Sequence, residues 1–274
     1  MDVADLRALD EIASDATPSP IEADVAGWWC KAAPDLPFRR CNVARPPLGA
    51  GDDPERARTA LAEVRAWYAD IGQRTIVQVS SADPSAPALD AVLAAEGLSI
   101  EAPVLVLVAA VGDLRAGVDH PPPRGEIDPT SAVVTAGIDE PWARSFGVIH
   151  GGGATQEGRT AAYGRMLAAF GDRALAATVV DDRGATVGLG YSVLDRGWLG
   201  IFGMGTAPAH RRRGIASAIV RAMADAGAER RATSAYLQVE TENAAAIACY
   251  ERLGFTVSHR YHYRSEGLDP TQGC

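Results

Sequence analysis

Apolar and polar positions change their period along this chain, and each change marks an element. Residues Thr75 to Ser80 (TIVQVS) are β-rich, Ala88 to Glu96 have the composition of a helix ended by Gly97, and Val104 to Val111 form an unbroken apolar run suited to a buried strand. The same order returns near the end of the chain. Tyr236 to Thr241 (YLQVET) predicts a strand, Asn243 to Leu253 a helix ended by Gly254, and Phe255 to Tyr263 a strand. Aligning Gly97 with Gly254 offsets the two units by 157 residues, and Gln78-Val79 aligns with Gln238-Val239 at 160. One loop insertion absorbs that difference, so the pattern points to a duplicated domain, with a chance match as the alternative.

Between the repeats, Asp139 to Ile149 and Glu157 to Phe170 predict helices, with Asp139 an N-cap. Ala174 to Val180, Thr186 to Leu194 and Trp198 to Thr206 predict three consecutive strands. They are joined by the turn sequences Asp181-Asp182-Arg183-Gly184 and Asp195-Arg196-Gly197. A helix from about Arg213 carries Ile215, Ile219 and Met223 at four-residue spacing, an apolar stripe for a sheet, and Gly227 ends it. Antiparallel strands followed by strand-helix-strand make a mixed α/β sheet.

Pro121-Pro122-Pro123 followed by Arg124-Gly125 fixes φ, removes donors and interrupts both flanking elements, so 121–125 is the expected linker between domains 1–120 and 126–274. Charge divides there too. Residues 1–123 hold 19 acidic and 10 basic side chains, whereas 124–274 hold 16 of each, so the whole net charge of −9 falls in the first part. A surface that acidic argues against a nucleic-acid partner. Of the 26 basic residues only Lys31 is a lysine, a bias read as compositional. The four cysteines, Cys30, Cys41, Cys249 and Cys274, have neither paired nor metal-ligand spacing, so reduced thiols and no metal are expected. Met1 to Asp5 lacks a signal-peptide pattern and no apolar run approaches the ~20 residues of a membrane span, so a cytoplasmic protein with no membrane partner is expected.

Two segments carry candidate chemistry. Thr206-Ala-Pro-Ala-His-Arg211-Arg212-Arg213-Gly214-Ile215-Ala216-Ser217 lies between a strand and an amphipathic helix. Small residues there admit a ligand to the backbone, and the helix start offers unpaired N–H groups. It reads either as a pyrophosphate cradle with three guanidinium groups beside it, or as a solvated basic turn. In the second segment Asn243 opens a helix and Tyr250 follows two turns later on nearly the same side. Taken singly, Asn243 reads as an N-cap and Tyr250 as a half-buried core aromatic.

The R-x-x-G-x-A run of Arg211 to Ala216, preceded by Pro208, and N-x-x-A-x-x-x-Y-x-x-L-G-F of Asn243 to Phe255 together resemble the two signature regions of the GNAT N-acetyltransferase superfamily. The resemblance covers about residues 126–266. It implies two neighbouring parallel strands, Trp198 to Thr206 and Tyr236 to Thr241, that splay apart with acetyl-CoA in the gap. Backbone groups of Met204, Gly205 and Thr206 would pair with the pantetheine arm, and N–H groups from Arg211 to Ser217 would hold the pyrophosphate. Asn243 would bond the arm near the thioester, and Tyr250 would protonate the departing thiolate. The implied reaction is direct attack by a neutral amine, with a small-molecule acceptor expected first. Protein lysine or N-terminal acetylation, and a non-catalytic acyl-CoA sensor, are the other readings.

The family's customary glutamate on the strand before the cradle is missing here. Glu240 is the best substitute base; Asp195, His150 and His262 follow, and water or bulk solvent is equally compatible. His150-Gly151-Gly152-Gly153 reads as a lid or as a flexible connector. The first half has Leu93 at the place of Tyr250 and no repeat of the cradle. It resembles a degenerate GNAT-like domain, so the expected fold is two mixed-sheet domains in tandem, the second complete with a splayed sheet, as a monomer or homodimer.

Overall fold

The computed structural model describes residues 1–36, 38–116, 132–150 and 163–267. The chain divides into two compact units, Met1–Leu105 with Ser258–Cys274, and Val106–Val257. The division passes inside two strands, and the expected linker 121–125 lies outside the described residues.

The first unit opens with α1 (Val3–Asp15), held by a reciprocal capping box between Asp2 and Asp5. The hairpin β1 (Ile21–Val25) and β2 (Trp28–Ala32) and the short β3 (Val43–Arg45) follow, then α2 (Pro54–Asp70), β4 (Ile76–Ser80), α3 (Ala86–Ala95) and β5 (Ser99–Ala110). The apolar run expected from Val104 to Val111 is thus the second half of a longer strand, and Val111 already belongs to the next helix. Trp28, Leu61, Val64, Tyr68, Val77 and Leu93 form the core, so Trp28 and Tyr68 are core aromatics. Lys31, the sole lysine, is 1% exposed. Its Nζ donates to the carbonyls of Ser14 (2.8 Å) and Thr17 (2.7 Å) at the C-terminal end of α1, where the helix dipole favours a cation. Burial lowers its pKa, the cost of placing the ammonium there.

The second unit holds α4 (Val111–Ala116), β6 (Val133–Ala136), α5 (Glu140–Ile149), α6 (residues 163–168), β7 (Ala174–Val180), β8 (Thr186–Asp195), β9 (Trp198–Thr206), α7 (Ile215–Glu229), β10 (Ser234–Glu240) and α8 (Ala244–Arg252). Its strands run in the order β10-β9-β8-β7-β6, antiparallel except β9 with β10. Asp139 caps α5 through a bond from the Trp142 N–H (2.8 Å). Arg196 and Gly197, at φ 47° and 80°, make the tight turn between β8 and β9, a conformation that glycine adopts freely. The stripe Ile215, Ile219 and Met223 is fully buried under one sheet face. None of the described helices is long and apolar enough to cross a membrane.

The two repeats end their helices with the same hydrogen bonds. Gly97 and Gly254 both end their helices at left-handed φ, 85° and 96°. The bonds Gly97 N–H to Ala94 and Leu98 N–H to Leu93 recur 157 residues later as Gly254 N–H to Glu251 and Phe255 N–H to Tyr250. The same pair of bonds also ends α2 (Gly72 to Ala69, Gln73 to Tyr68) and α7 (Arg231 to Ala228, Ala232 to Gly227), as is common at helix C-termini.

The last strand, β11 (Thr256–Ser265), departs from a simple cut at 121–125. Its residues from Ser258 onward belong to the first unit, where Tyr261 to Ser265 pair antiparallel with Ser80 to Ile76. The side chains explain the placement. Arg264 makes two bonds to Asp90 (2.8 and 2.7 Å) and a third to the Leu98 carbonyl, His262 meets Asp90 at 2.6 Å, and His259 meets the buried Asp10 at 3.0 Å. β5 is treated reciprocally, since its residues from Val106 onward belong to the second unit.

Glu101 on β5 is an acid-sensitive point of the first unit. Burial opposes its ionisation, but hydrogen bonds from Arg74, Ser265 and Arg39 outweigh that and lower its pKa from 4.5 to about 2. A depressed carboxyl stabilises the fold above its unfolded value and loses that contribution as pH falls through the folded one. Glu101→Gln should therefore lower the denaturant midpoint at pH 7, with the deficit shrinking from pH 4.5 down to 2; a deficit independent of pH would refute the assignment.

Candidate active site

β9 and β10 pair only at their beginnings. The parallel register runs Trp198–Ser234, Leu199–Ala235, Gly200–Tyr236 and Ile201–Leu237, and stops. Phe202 to Thr206 and Gln238 to Glu240 continue without pairing each other, so a seam between the two strands begins past Ile201. Its cause lies on the other edge of β9. Against β8, Leu189 faces Gly205 and Tyr191 faces Phe202, so Gly203 and Met204 stand opposite Gly190 alone. This is a β-bulge, and Gly203 takes it at φ 58°.

Glycines make the crowded geometry feasible. A Cβ on Gly203 would lie 2.9 Å from the Phe146 and Tyr191 rings, and one on Gly205 would lie 2.5 Å from Ile149 Cγ2 and 2.9 Å from His150 Nε2. On the opposite face a Cβ on Gly190 would strike Met204 Sδ, and one on Gly188 would strike Ile215 in the first turn of α7. The α5 side of the sheet is a continuous aromatic layer: Trp142, Phe146, Tyr163, Tyr191, Phe202 and Tyr236 follow one another with ring centroids 4.7 to 6.0 Å apart. Inside it the Tyr163 hydroxyl donates to that of Tyr191 at 2.7 Å.

The cradle segment sits at the C-terminal end of β9. A short 3-10 turn, Pro208–His210, is followed by Arg211, then Arg212 and Gly214 at left-handed φ (61° and 81°), and α7 starts at Ile215. Gly214 is the N-cap and contributes no side-chain bond, so the first amides of α7 keep their N–H groups for a ligand, at the positive end of the dipole. Arg211 and Arg212 are exposed and Arg213 half-buried. A helix start with no side-chain cap, beside three guanidinium groups, fits a pyrophosphate.

The first unit presents the opposite chemistry at the matching place. There α2 is capped by Asp53, whose carboxylate accepts the Arg56 N–H, Pro54 removes one donor, and Glu55 adds a second negative charge. A phosphate would meet filled donors and like charge.

Asn243 serves as the N-cap of α8, its Oδ1 accepting the Ala246 N–H at 3.1 Å. The carboxamide oxygen is thereby committed and the Nδ2 end carries the remaining donors. Tyr250 is buried and packs edge-on against Phe255 at 5.9 Å. Burial, then the adjacent Cys249, pushes its hydroxyl up to about 12. Cys249 also meets Ser217 of α7 at 3.9 Å, which joins the cradle helix to the Tyr250 helix.

The base candidates separate by position. Glu240 is exposed at the end of β10, beyond the last residue paired to β9, and strand alternation puts it on the same face as Tyr236. Asp195 lies in the β8–β9 turn with Arg196, at the opposite end of β9 from Thr206, roughly 25 Å along an extended strand. His262 is engaged by Asp90 in the first unit. His150, the C-cap of α5, reaches β9 and bonds the Gly203 carbonyl. The glycines 151–153 that follow it lie outside the described residues. Reasoning from sequence missed the bulge, although glycine pairs at 188/190 and 203/205 are the signal that would have marked two facing strands under close approach.

A mixed sheet opened by a bulge between two parallel strands, with an uncapped helix start at its mouth, defines the fold of the GCN5-related N-acetyltransferases. The solved structure of such a protein from Kribbella flavida matches with a TM-score of 0.70 at 18% identity, over 99% of this chain and 98% of that one. A tandem GNAT protein from the clavulanic acid biosynthesis pathway matches with a TM-score of 0.63 at 17% identity, over 89% of this chain and 79% of that one. Residues 3–264 match the model of the family described as "Probable histone acetyltransferase Rv0428c C-terminal", and the chain belongs to that family. It is also 34% identical over 90 residues to the ribosomal protein bS18-alanine N-acetyltransferase of Salmonella typhimurium strain LT2. That stretch is 32% of this chain and 60% of the enzyme, less than two thirds of the relative's length.

Gly203→Ala would combine a Cβ at 2.9 Å from two rings with a left-handed backbone. It should cost about 1–3 kcal/mol in denaturant unfolding; an unchanged midpoint would mean the bulge relaxes freely.

Proposed function

We propose that this chain is an acetyl-CoA-dependent N-acetyltransferase whose machinery lies in the second unit. The observation that carries the reading is the seam past Ile201 and Leu237 leading to an uncapped α7 start with three arginines. Backbone groups of Met204, Gly205 and Thr206 pair with the pantetheine arm of the cosubstrate. The amides from Gly214 through Ile215, Ala216 and Ser217 hold the pyrophosphate, while Arg211, Arg212 and Arg213 neutralise it and any further phosphate. Asn243 contributes through Nδ2, since its oxygen caps α8.

The amine nitrogen attacks the thioester carbonyl, forming a C–N bond, and the C–S bond breaks. Tyr250, protonated across the working pH range because its pKa is near 12, gives the proton that converts the departing thiolate to a thiol. Glu240 takes the proton from the amine, directly or through water. The first unit is a degenerate copy, a reading supported by its Asp53-capped α2 and by Leu93 in the place of Tyr250.

The acceptor class carries two readings. The expectation of a small amine stands beside a protein amine, which is favoured by the histone named in the family description and the ribosomal protein named for the Salmonella enzyme. Turnover of free amines against Ala-initiated and Lys-containing peptides separates them.

Calorimetric titration with acetyl-CoA should give one site per chain, and Tyr250→Phe should lower kcat about 10²-fold while leaving that affinity nearly unchanged. Two sites would overturn the degenerate reading of the first unit. No binding would overturn the acetyltransferase reading, and unchanged turnover would remove Tyr250 from the mechanism.

A further inference from the structure

We infer that His150 is a positioning residue that holds the bulge peptide of β9 and polarises it toward the acyl oxygen, an inference that rests on the acetyltransferase reading above. His150 Nε2 lies 3.2 Å from the Gly203 carbonyl oxygen. A carbonyl only accepts, so Nε2 bears a proton and is the donor of this contact. The oxygen it bonds belongs to the same peptide unit as the N–H of Met204, and Gly203 and Met204 are the residues that the β8 register leaves unpaired. A donor at the oxygen of a peptide draws electron density from its nitrogen and strengthens the N–H as a donor in turn. The role inferred for that N–H is to meet the negative charge that develops on the thioester oxygen during attack, as a stronger donor than an unpolarised peptide.

Several features of the chain bear on this contact. His150 follows Phe146 by one helical turn, and its ring packs on Phe146 at 4.3 Å, which sets its height over the sheet. Phe146 is itself stacked on Trp142 at 5.5 Å and Tyr163 at 4.7 Å, so the imidazole is anchored to the aromatic layer. Beneath it Gly205 is side-chain-free, and a Cβ there would come within 2.9 Å of Nε2. Gly203 likewise has no room for a Cβ beside Phe146. Gly205 thus clears His150 together with Ile149, and Gly203 clears the Phe146 ring on which His150 packs.

The test separates donation from packing and from proton transfer, and needs no identified acceptor. Acetyl-CoA carrying ¹³C at the thioester carbonyl is bound to wild type, His150→Phe and His150→Gln, and the carbonyl resonance is compared with that of the free thioester. Phe keeps the ring stacking and removes the donor, whereas Gln keeps an N–H donor and cannot act as a base. The expected result is a downfield shift on wild type, most of it lost in His150→Phe and largely kept in His150→Gln, with acetyl-CoA affinity and Tm similar in all three. Binding with the same shift in all three variants would overturn this inference and leave the acetyltransferase reading standing. Loss of the shift in His150→Gln as complete as in His150→Phe would overturn donation as its role. No binding to wild type would overturn the acetyltransferase reading, and this inference with it.

Discussion

One bulge in β9 sets the rest of the second unit. With Gly203 and Met204 inserted against Gly190, the ladder between β9 and β10 stops after Ile201 and the two strands run on without pairing each other. A ladder cut short forgoes hydrogen bonds between its strands, so packing has to hold it in that state. The energy that holds it open comes from packing on both faces. Gly188 and Gly190 let Ile215, Ile219 and Met223 of α7 close down on one side, and Gly203 and Gly205 admit Phe146, Ile149 and His150 on the other. Helix α7 is brought in by the same glycines, so the seam and the phosphate-facing helix start are fixed relative to each other by a single packing arrangement.

The duplication supplies an internal control for that argument. Both copies have a strand, a helix closed by a left-handed glycine, and a final strand, with matching cap hydrogen bonds. They differ where a ligand would bind. One copy leaves the donors of α7 to Gly214 and three arginines; the other fills the start of α2 with Asp53, Pro54 and Glu55. On the function proposed above, scaffold and ligand chemistry have separated within one chain, which is what a fold maintained by core packing and a site maintained by a few polar groups permit.

How far this was legible in the residues follows from the range of the interactions involved. The three-strand meander was read almost to its ends because Asp181 to Gly184 and Asp195 to Gly197 are local turn signals, and α8 and its cap because Asn243 and Gly254 are local too. Asn243 also shows the limit: its capping bond is real, and sequence could not tell a cap from a ligand-binding amide because one side chain serves both. α1 and α2 went unread although Asp2 with Asp5, and Asp53 with Pro54, are helix-start signatures. Their apolar faces are alanine-rich, and periodicity in alanine is faint. The placement of β11 could not be read at all. It depends on Arg264 and His262 finding Asp90, and on His259 finding Asp10, pairs more than 170 residues apart.

The reciprocal assignment of the two last strands bears on how β11 is held. Each strand starts beside its own helix and ends in the other compact unit, β5 after Leu105 and β11 after Val257. The first unit provides β4 for β11 to pair with, Asp90 to receive the Arg264 guanidinium and Asp10 to bond His259. Removing a partner from a buried charge is among the more destabilising changes a protein can suffer. The end of β11 is therefore held in the first unit by charge as well as by its backbone pairing with β4.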